Sequence, residues 1–255
     1  MRQRSTDDAA PGVSARRVLL AWSSGKDSAW TLHRLRAEPG TEVVGLLTVF
    51  NEIADRVSMH AVRRELVESQ AANLNLQLWP VLLPAPCSNE VYEREMASAI
   101  TRARQEHVTH VAFGDLFLED VRDYRIRQLK GTGVEPLFPL WGTPSATPDL
   151  AKSMLTNGLK AIVTCVDTQK LPVTFLGRAF DVALLEEFPP HVDPCGERGE
   201  FHTFCFGGPM FRSEIPVVTG QTVRSGQFGF ADLLLGGDGA RSASTGEDME
   251  LQSSQ

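Results

Sequence analysis

Basic residues are in deficit in this chain: 25 Lys and Arg face 32 Asp and Glu, for a net charge of −7. That balance argues against non-specific wrapping of a nucleic-acid backbone, and no nucleic-acid partner is expected. Cysteine is scarce too. Cys87, Cys165, Cys195 and Cys205 lie far apart with no CxxC pair, which suits a reducing compartment better than a disulfide framework. The opening MRQRSTDDAAPGVSARR is polar and lacks the apolar length of a secretory signal. No apolar run is long enough for a bilayer span, and no internal repeat is visible. These absences lead to the expectation of a cytoplasmic globular protein without membrane association. A hydrophobic content of 42% over 255 residues is enough for one large α/β domain, or for one domain with a small appendage.

The apolar segments alternate in type. RVLLAW reads as a buried strand, Ser28 to about Arg36 as a helix, and EVVGLLTVF as a second strand. MHAVRRELVESQAANLN reads as an amphipathic helix with Val62, Leu66, Ser69 and Asn73 near helical spacing. LQLWPVLLP is a strand, NEVYEREMASAITRARQEH a helix opened by a Ser-Asn pair, VTHVAFGD a strand, and LEDVRDYRIRQLKGTG a helix with a glycine stop. Strand–helix alternation with short connections predicts a parallel sheet covered on both faces, a Rossmann-like α/β layout over 17–140. From 141 to 235 the pattern changes to a Pro-rich loop, a helix, the strand KAIVTCVD and short β-like runs, read as a smaller mixed region beside the sheet's carboxyl edge. Residues 1–16 and 236–255 are small, polar and charged, and are expected to be disordered tails.

The first strand runs into Ser23-Ser24-Gly25-Lys26-Asp27-Ser28 before apolar residues resume. A small-residue turn that feeds a helix is a ready anion site, because the first helical amides are unpaired and the helix dipole favours negative charge. Gly25 permits close backbone approach, Ser23, Ser24 and Ser28 supply hydroxyls, and Lys26 supplies a cation for phosphate oxygens. Asp27 would repel bare phosphate, so it serves either as a cap or as a ligand for an intervening metal ion. The segment fits neither G-x-x-x-x-G-K-[ST] nor G-x-G-x-x-G.

It does resemble the S-G-G-x-D-S loop of the ATP pyrophosphatases, with Ser24 at the first glycine position, a departure that demands a compatible backbone angle. RVSMH (Ser58, Met59, His60), FGDLFLEDVRDYR (Gly114, Asp115, Glu119, Arg122), PLFPLW and CGERGEFHTF are similar to successive motifs of the diphthine–ammonia ligase family. The resemblance spans about Val18 to Phe211. It implies an adenine nucleotide alpha hydrolase-like fold and an N-type ATP pyrophosphatase that adenylates a carboxylate and amidates it with ammonia. ATP and Mg²⁺ are the implied cofactors, and diphthine on elongation factor 2 the implied acceptor.

On that resemblance the nucleotide is expected over residues 23–28, with Leu47 and Gly114 beside it. Asp27 and Asp115 are the candidate Mg²⁺ ligands. The candidate catalytic residues are Lys26, Asp115, Arg122, Glu197 and Glu200, the two glutamates to guide ammonia and accept its proton. His60, Cys195, Gly196 and His202 are expected near the substrate.

Rival readings attach to the same residues. Arg122 could be a surface partner of Asp123 or Glu119, and Glu197 and Glu200 a solvated acidic turn. His191, Cys195, His202 and Cys205 could suggest zinc, yet the spacing lacks paired close ligands. A tRNA-type sulfurtransferase would need a basic face and a reactive cysteine pair, and a non-catalytic ATP or AMP-binding regulator would not need Lys26 with its carboxylates.

Overall fold

Val18, Leu19 and Leu20 have no solvent exposure, as a central strand covered on both faces requires. In the computed structural model, which describes residues 15–58 and 60–237, they belong to β1 (Arg16–Ala21). The elements that follow are α1 (Lys26–Arg36), β2 (Thr41–Asn51), β3 (Arg56–Val57), α2 (Arg64–Leu74), β4 (Gln77–Leu83), α3 (Asn89–Gln105), β5 (His110–Ala112), α4 (Glu119–Leu129) and β6 (Glu135–Leu137). Strands β4, β2, β1, β5 and β6 lie side by side in that order, all parallel. The chain moves outward in one direction from β1 to β4 and then returns to β5 on the other side of β1. The crevice where ligands gather in such sheets therefore opens at the carboxyl ends of β1 and β5.

Strand β3 pairs antiparallel with Phe50 and Asn51 at the tip of β2. Strand β4 occupies the other side of β2 along this stretch, so β3 lies on the β1 side, beyond the carboxyl end of β1.

The second half comprises α5 (Thr147–Thr156), β7 (Lys160–Asp167), α6 (Val182–Glu186), β8 (Phe201–Gly207), β9 (Val217–Ser225) and β10 (Phe228–Leu235). Its four strands form an antiparallel sheet in the order β8–β7–β10–β9. One apolar core joins Leu32 and Leu35 of α1 and Leu66 and Leu74 of α2 to Val163, Phe201 and Phe204 of this sheet. A second core fills the opposite face of the parallel sheet, where Met96 and Ile100 of α3 and Leu129 of α4 cover Leu19, Trp79 and Val111. The expected two-sided covering is present, with the antiparallel sheet packed over α1 and α2.

Several local expectations shift. The second helix begins at Arg64, later than expected (Met59, where the expected segment starts, lies outside the described residues), and its buried stripe is Leu66, Val67, Gln70, Ala71 and Leu74, not the stripe through Ser69 and Asn73. Arg16 is part of β1 and not of a tail. The rest of the expected tails, 1–14 and 238–255, lies outside the described residues. Ser88 caps α3 as expected, its hydroxyl accepting from Val91 N at 3.3 Å.

Candidate active site

A cleft of about 700 Å³ opens at the ends of β1 and β5, a size suited to a nucleotide-scale ligand. Its floor is the loop after β1. Ser24 adopts φ = 70°, the left-handed conformation that a glycine would take freely. This is the backbone angle that the serine-for-glycine departure demands. The Ser24 carbonyl accepts from Cys205 N at 2.9 Å and from Gln70 Nε2 at 3.0 Å, which ties the loop to β8 and α2. A β-carbon on Gly25 would stand 3.1 Å from the Thr203 carbonyl, so close approach to β8 selects the glycine. Gly25 is also the N-cap of α1 and offers no side-chain cap. The helix therefore starts with its amides toward the cleft, although Lys26 N is engaged by Thr203 Oγ1 at 3.1 Å.

Lys26 is buried (1% exposed) between the rings of Phe180 and Phe201, with Nζ 5.6 and 5.1 Å from their centroids. Nζ donates to the Cys195 carbonyl and, at 2.9 Å, to Asp27 Oδ2. Burial works against the ammonium, but the surrounding acidic groups, Asp27 foremost, outweigh it and raise the pKa. Lys26 therefore stays charged at neutral pH and joins the loop after β1 to the C-terminal wall of the cleft. Ser23, Ser28, Leu47 and Gly114 line the cleft. Gly114 is selected by packing, since a β-carbon there would come within 3.2 Å of the Asp27 backbone.

Asp27, Asp115 and Glu197 form an acidic cluster at the loop end of the cleft. Burial raises the pKa of both aspartates, and each lifts that of Glu197. Asp27 Oδ1 and Asp115 Oδ2 are buried without a hydrogen-bond partner among the described residues. Two carboxylate oxygens without hydrogen-bond partners, beside a loop that opens a helix, are a hard-cation donor set of the kind Mg²⁺ uses. No group of three or more metal-ligating side chains converges among the described residues. Mg²⁺ does not need one, because phosphates and water complete its shell. Glu197 Oε1 accepts from Leu116 N at 2.7 Å and Phe117 N at 3.4 Å. Burial, with Asp27 and Asp115 adding, pushes its pKa up to about 7 against those amides.

The cleft lining also includes Arg56, His60, Cys195, Gly196 and His202. The His60 and His202 rings are 4.2 Å apart. Burial and Lys26 push His202 down to about 4, and burial, His202 and Lys26 take His60 well below the usual imidazole range. Both rings are neutral at pH 7. The Cys195 thiol donates to Thr147 O, and burial raises its pKa. Gly196, at φ = 71°, packs so that a β-carbon would strike Phe201 O at 2.7 Å.

Three expected site residues lie elsewhere. Ser24 has no exposure and its hydroxyl is buried without a hydrogen-bond partner among the described residues, so its contribution to the site is its backbone. Glu200 is 1% exposed and outside the cleft lining, with its oxygens accepting from Asp193 N at 3.2 Å and Arg198 N at 2.9 Å. It braces the 193–200 loop. Arg122 also lies outside the lining, stacked on Trp141 at 4.7 Å and Phe138 at 5.4 Å. The cleft's arginine on α4 is Arg125, whose Nε stands 3.8 Å from Asp115 Oδ2.

The sequence reading also missed Arg56 and Gln70. A glutamine at the apolar phase of α2 was the available signal for Gln70. Arg56 Nη1 donates to Asp232 Oδ1 at 2.8 Å and to Ala61 O. Arg63 grips both oxygens of the same aspartate at 3.0 and 2.7 Å. Strand β10 thereby holds the β3 segment over the cleft.

A family model described as the diphthamide synthase N-terminal domain matches residues 16–135, and one described as the diphthamide synthase C-terminal domain matches 146–235. A diphthine–ammonia ligase of Rattus norvegicus is 25% identical over 242 residues, covering 85% of this chain and 88% of its own. That of Mus musculus matches at the same identity and extent. That of Danio rerio is 30% identical over 135 residues, 50% of this chain and 51% of its own.

Proposed function

The chain belongs to the diphthine–ammonia ligase family, and from that membership and the geometry of the cleft we propose that it is an ATP-dependent ligase that joins ammonia to a carboxylate. The observation that carries the proposal is Lys26, charged and fixed between the nucleotide loop and the Cys195 carbonyl.

In this mechanism the ATP phosphates lie over residues 23–28, held by the first amides of α1 and the hydroxyls of Ser23 and Ser28. The adenine lies toward Leu47 and Val49. Asp27 and Asp115 would hold Mg²⁺, which, when bound, neutralises phosphate charge. An acceptor carboxylate oxygen attacks the α-phosphorus, the bond to the bridging oxygen breaks, and pyrophosphate leaves with Lys26 and Arg125 stabilising its charge. The nitrogen of ammonia then attacks the acyl carbon and AMP departs. Glu197 accepts the released proton, a task suited to a group that titrates at about 7. His60, His202, Cys195 and Gly196 border the acceptor. Glu200 and Arg122, outside the cleft lining, serve through the loop and helix they support.

The relatives' name makes diphthine the first acceptor to test, carried on elongation factor 2 as the family resemblance implies. Among the described residues no helix is long and apolar enough to cross a membrane, and a cytoplasmic site of action is part of the proposal. The cysteines favour the ligase over a sulfurtransferase. Burial pushes Cys165 and Cys205 up to about 12, the wrong direction for a nucleophile.

Incubation with ATP, Mg²⁺ and ammonium, with and without diphthine-bearing elongation factor and a mixture of small carboxylates, tests the reading. AMP and pyrophosphate should form only with an acceptor, and Lys26→Ala should lower the rate by about 10²–10³-fold. ADP as the product would sink the mechanism. Tight ATP binding without turnover under any condition would favour a nucleotide-binding regulator.

A further inference from the structure

Gln70 has no solvent exposure and sits on the apolar face of α2 beside Leu66, Val67, Ala71 and Leu74. An amide in that position destabilises the fold unless its polar atoms find partners. Trp22 Nε1 donates to Gln70 Oε1 at 2.8 Å, while Gln70 Nε2 donates to the carbonyls of Ser24 at 3.0 Å and Cys205 at 2.6 Å. The indole can only donate and the carbonyls can only accept, so these three partners fix the orientation of the amide. One side chain thus joins the end of β1, the left-handed residue of the nucleotide loop, and β8.

We propose that Gln70 is a positioning residue that holds Ser24 in its left-handed conformation and so keeps the α1 amides aimed into the cleft. The link to catalysis rests on the reading of this loop as the phosphate site. Left-handed backbone is unfavourable for a residue with a β-carbon and persists only where the surroundings over-determine it. At Ser24 those surroundings are two donors on one carbonyl, Cys205 N and Gln70 Nε2. The Ser24 hydroxyl contributes nothing to this: it is buried without a hydrogen-bond partner among the described residues. The brace is needed because the residue is a serine, and a glycine at position 24 would make it dispensable.

The test is a cycle of Gln70→Met, Ser24→Gly and the double variant, read in two ways. Amide hydrogen exchange over residues 22–28 of the ligand-free protein should accelerate about tenfold in Gln70→Met and return to within threefold of wild type in the double variant. Affinity for α,β-methylene ATP should fall about tenfold on Gln70→Met in the wild-type background and less than threefold on the same substitution in the Ser24→Gly background. Should Gln70→Met fail to fold, Gln70→Leu removes the same donors with a shorter apolar side chain, and the same pattern is expected of it. A loss that glycine does not rescue would make Gln70 a packing residue and overturn the proposal, as would unchanged exchange in both glutamine variants. A wild-type protein that binds no nucleotide would remove the phosphate-site reading, while the exchange measurements would still decide the brace.

Discussion

The two walls of the cleft follow opposite plans. The wall at the ends of β1 and β5 leaves polar groups unspent: helix amides that Gly25 cannot cap, and two carboxylate oxygens without a hydrogen-bond partner among the described residues. The 193–200 wall spends its own acids on itself. Asp193 Oδ1 accepts from Cys195 N at 2.9 Å and Glu197 N at 3.3 Å, its Oδ2 accepts from Thr147 Oγ1 at 2.6 Å, and Glu200 accepts from Asp193 N and Arg198 N. Unspent groups await a ligand, whereas satisfied ones hold a shape. Glu197 stands at the border between the two plans, a loop residue whose carboxylate reaches across to Leu116 and Phe117.

That contrast can be broken at Glu200. Glu200→Ala would strand the buried Asp193 amide and the part-buried Arg198 amide and should lower stability by about 2 kcal/mol, measured by denaturant titration, with little change in the rate of whatever remains folded. Glu197→Gln sharpens the contrast from the other side. It should leave the melting temperature within a few degrees while lowering turnover about tenfold or more. The pH profile separates the two roles further. Glu197 must be ionised to take a proton, so wild-type turnover should rise with pH through about 7, and the glutamine variant should lose that inflection. His202, neutral above about 4, cannot supply it. The smallest effect belongs to α4. Arg125→Ala should cost about tenfold in turnover, and Arg122→Ala less than threefold, by steady-state kinetics at saturating ATP.

The first wall was legible in the sequence and the second only in outline. An apolar strand, six small or charged residues and a helix leave little freedom over where Lys26 and Asp27 can go, and the resemblance supplied the rest. Along α4 the sequence carries almost no phase, since Leu129 is its one buried residue. Arg122 and Arg125 could not be told apart until the helix was docked. Glu197 and Glu200 are separated by Gly199, at φ = 76° and following Gly196 at φ = 71°. A chain that reverses through left-handed glycines has no periodicity from which to read which carboxylate faces the cleft. Gln70 was hidden for another reason: its partners are 46, 48 and 135 residues away, and a lone polar residue on an apolar stripe names none of them.

The tie between Ser24 and Cys205 bears on how such a protein can be altered. The two family matches cover the two halves separately, yet the conformation of the first half's loop is set in part by a backbone amide of the second. Exchanging the C-terminal half for that of a relative, to install a new acceptor preference, would also exchange the strand that shapes the Ser24 loop. A transplant that respects this keeps 203–205 with Gln70 and Trp22 as one inherited unit and varies only what surrounds them, so the boundary for recombination runs through β8 and not between the sheets.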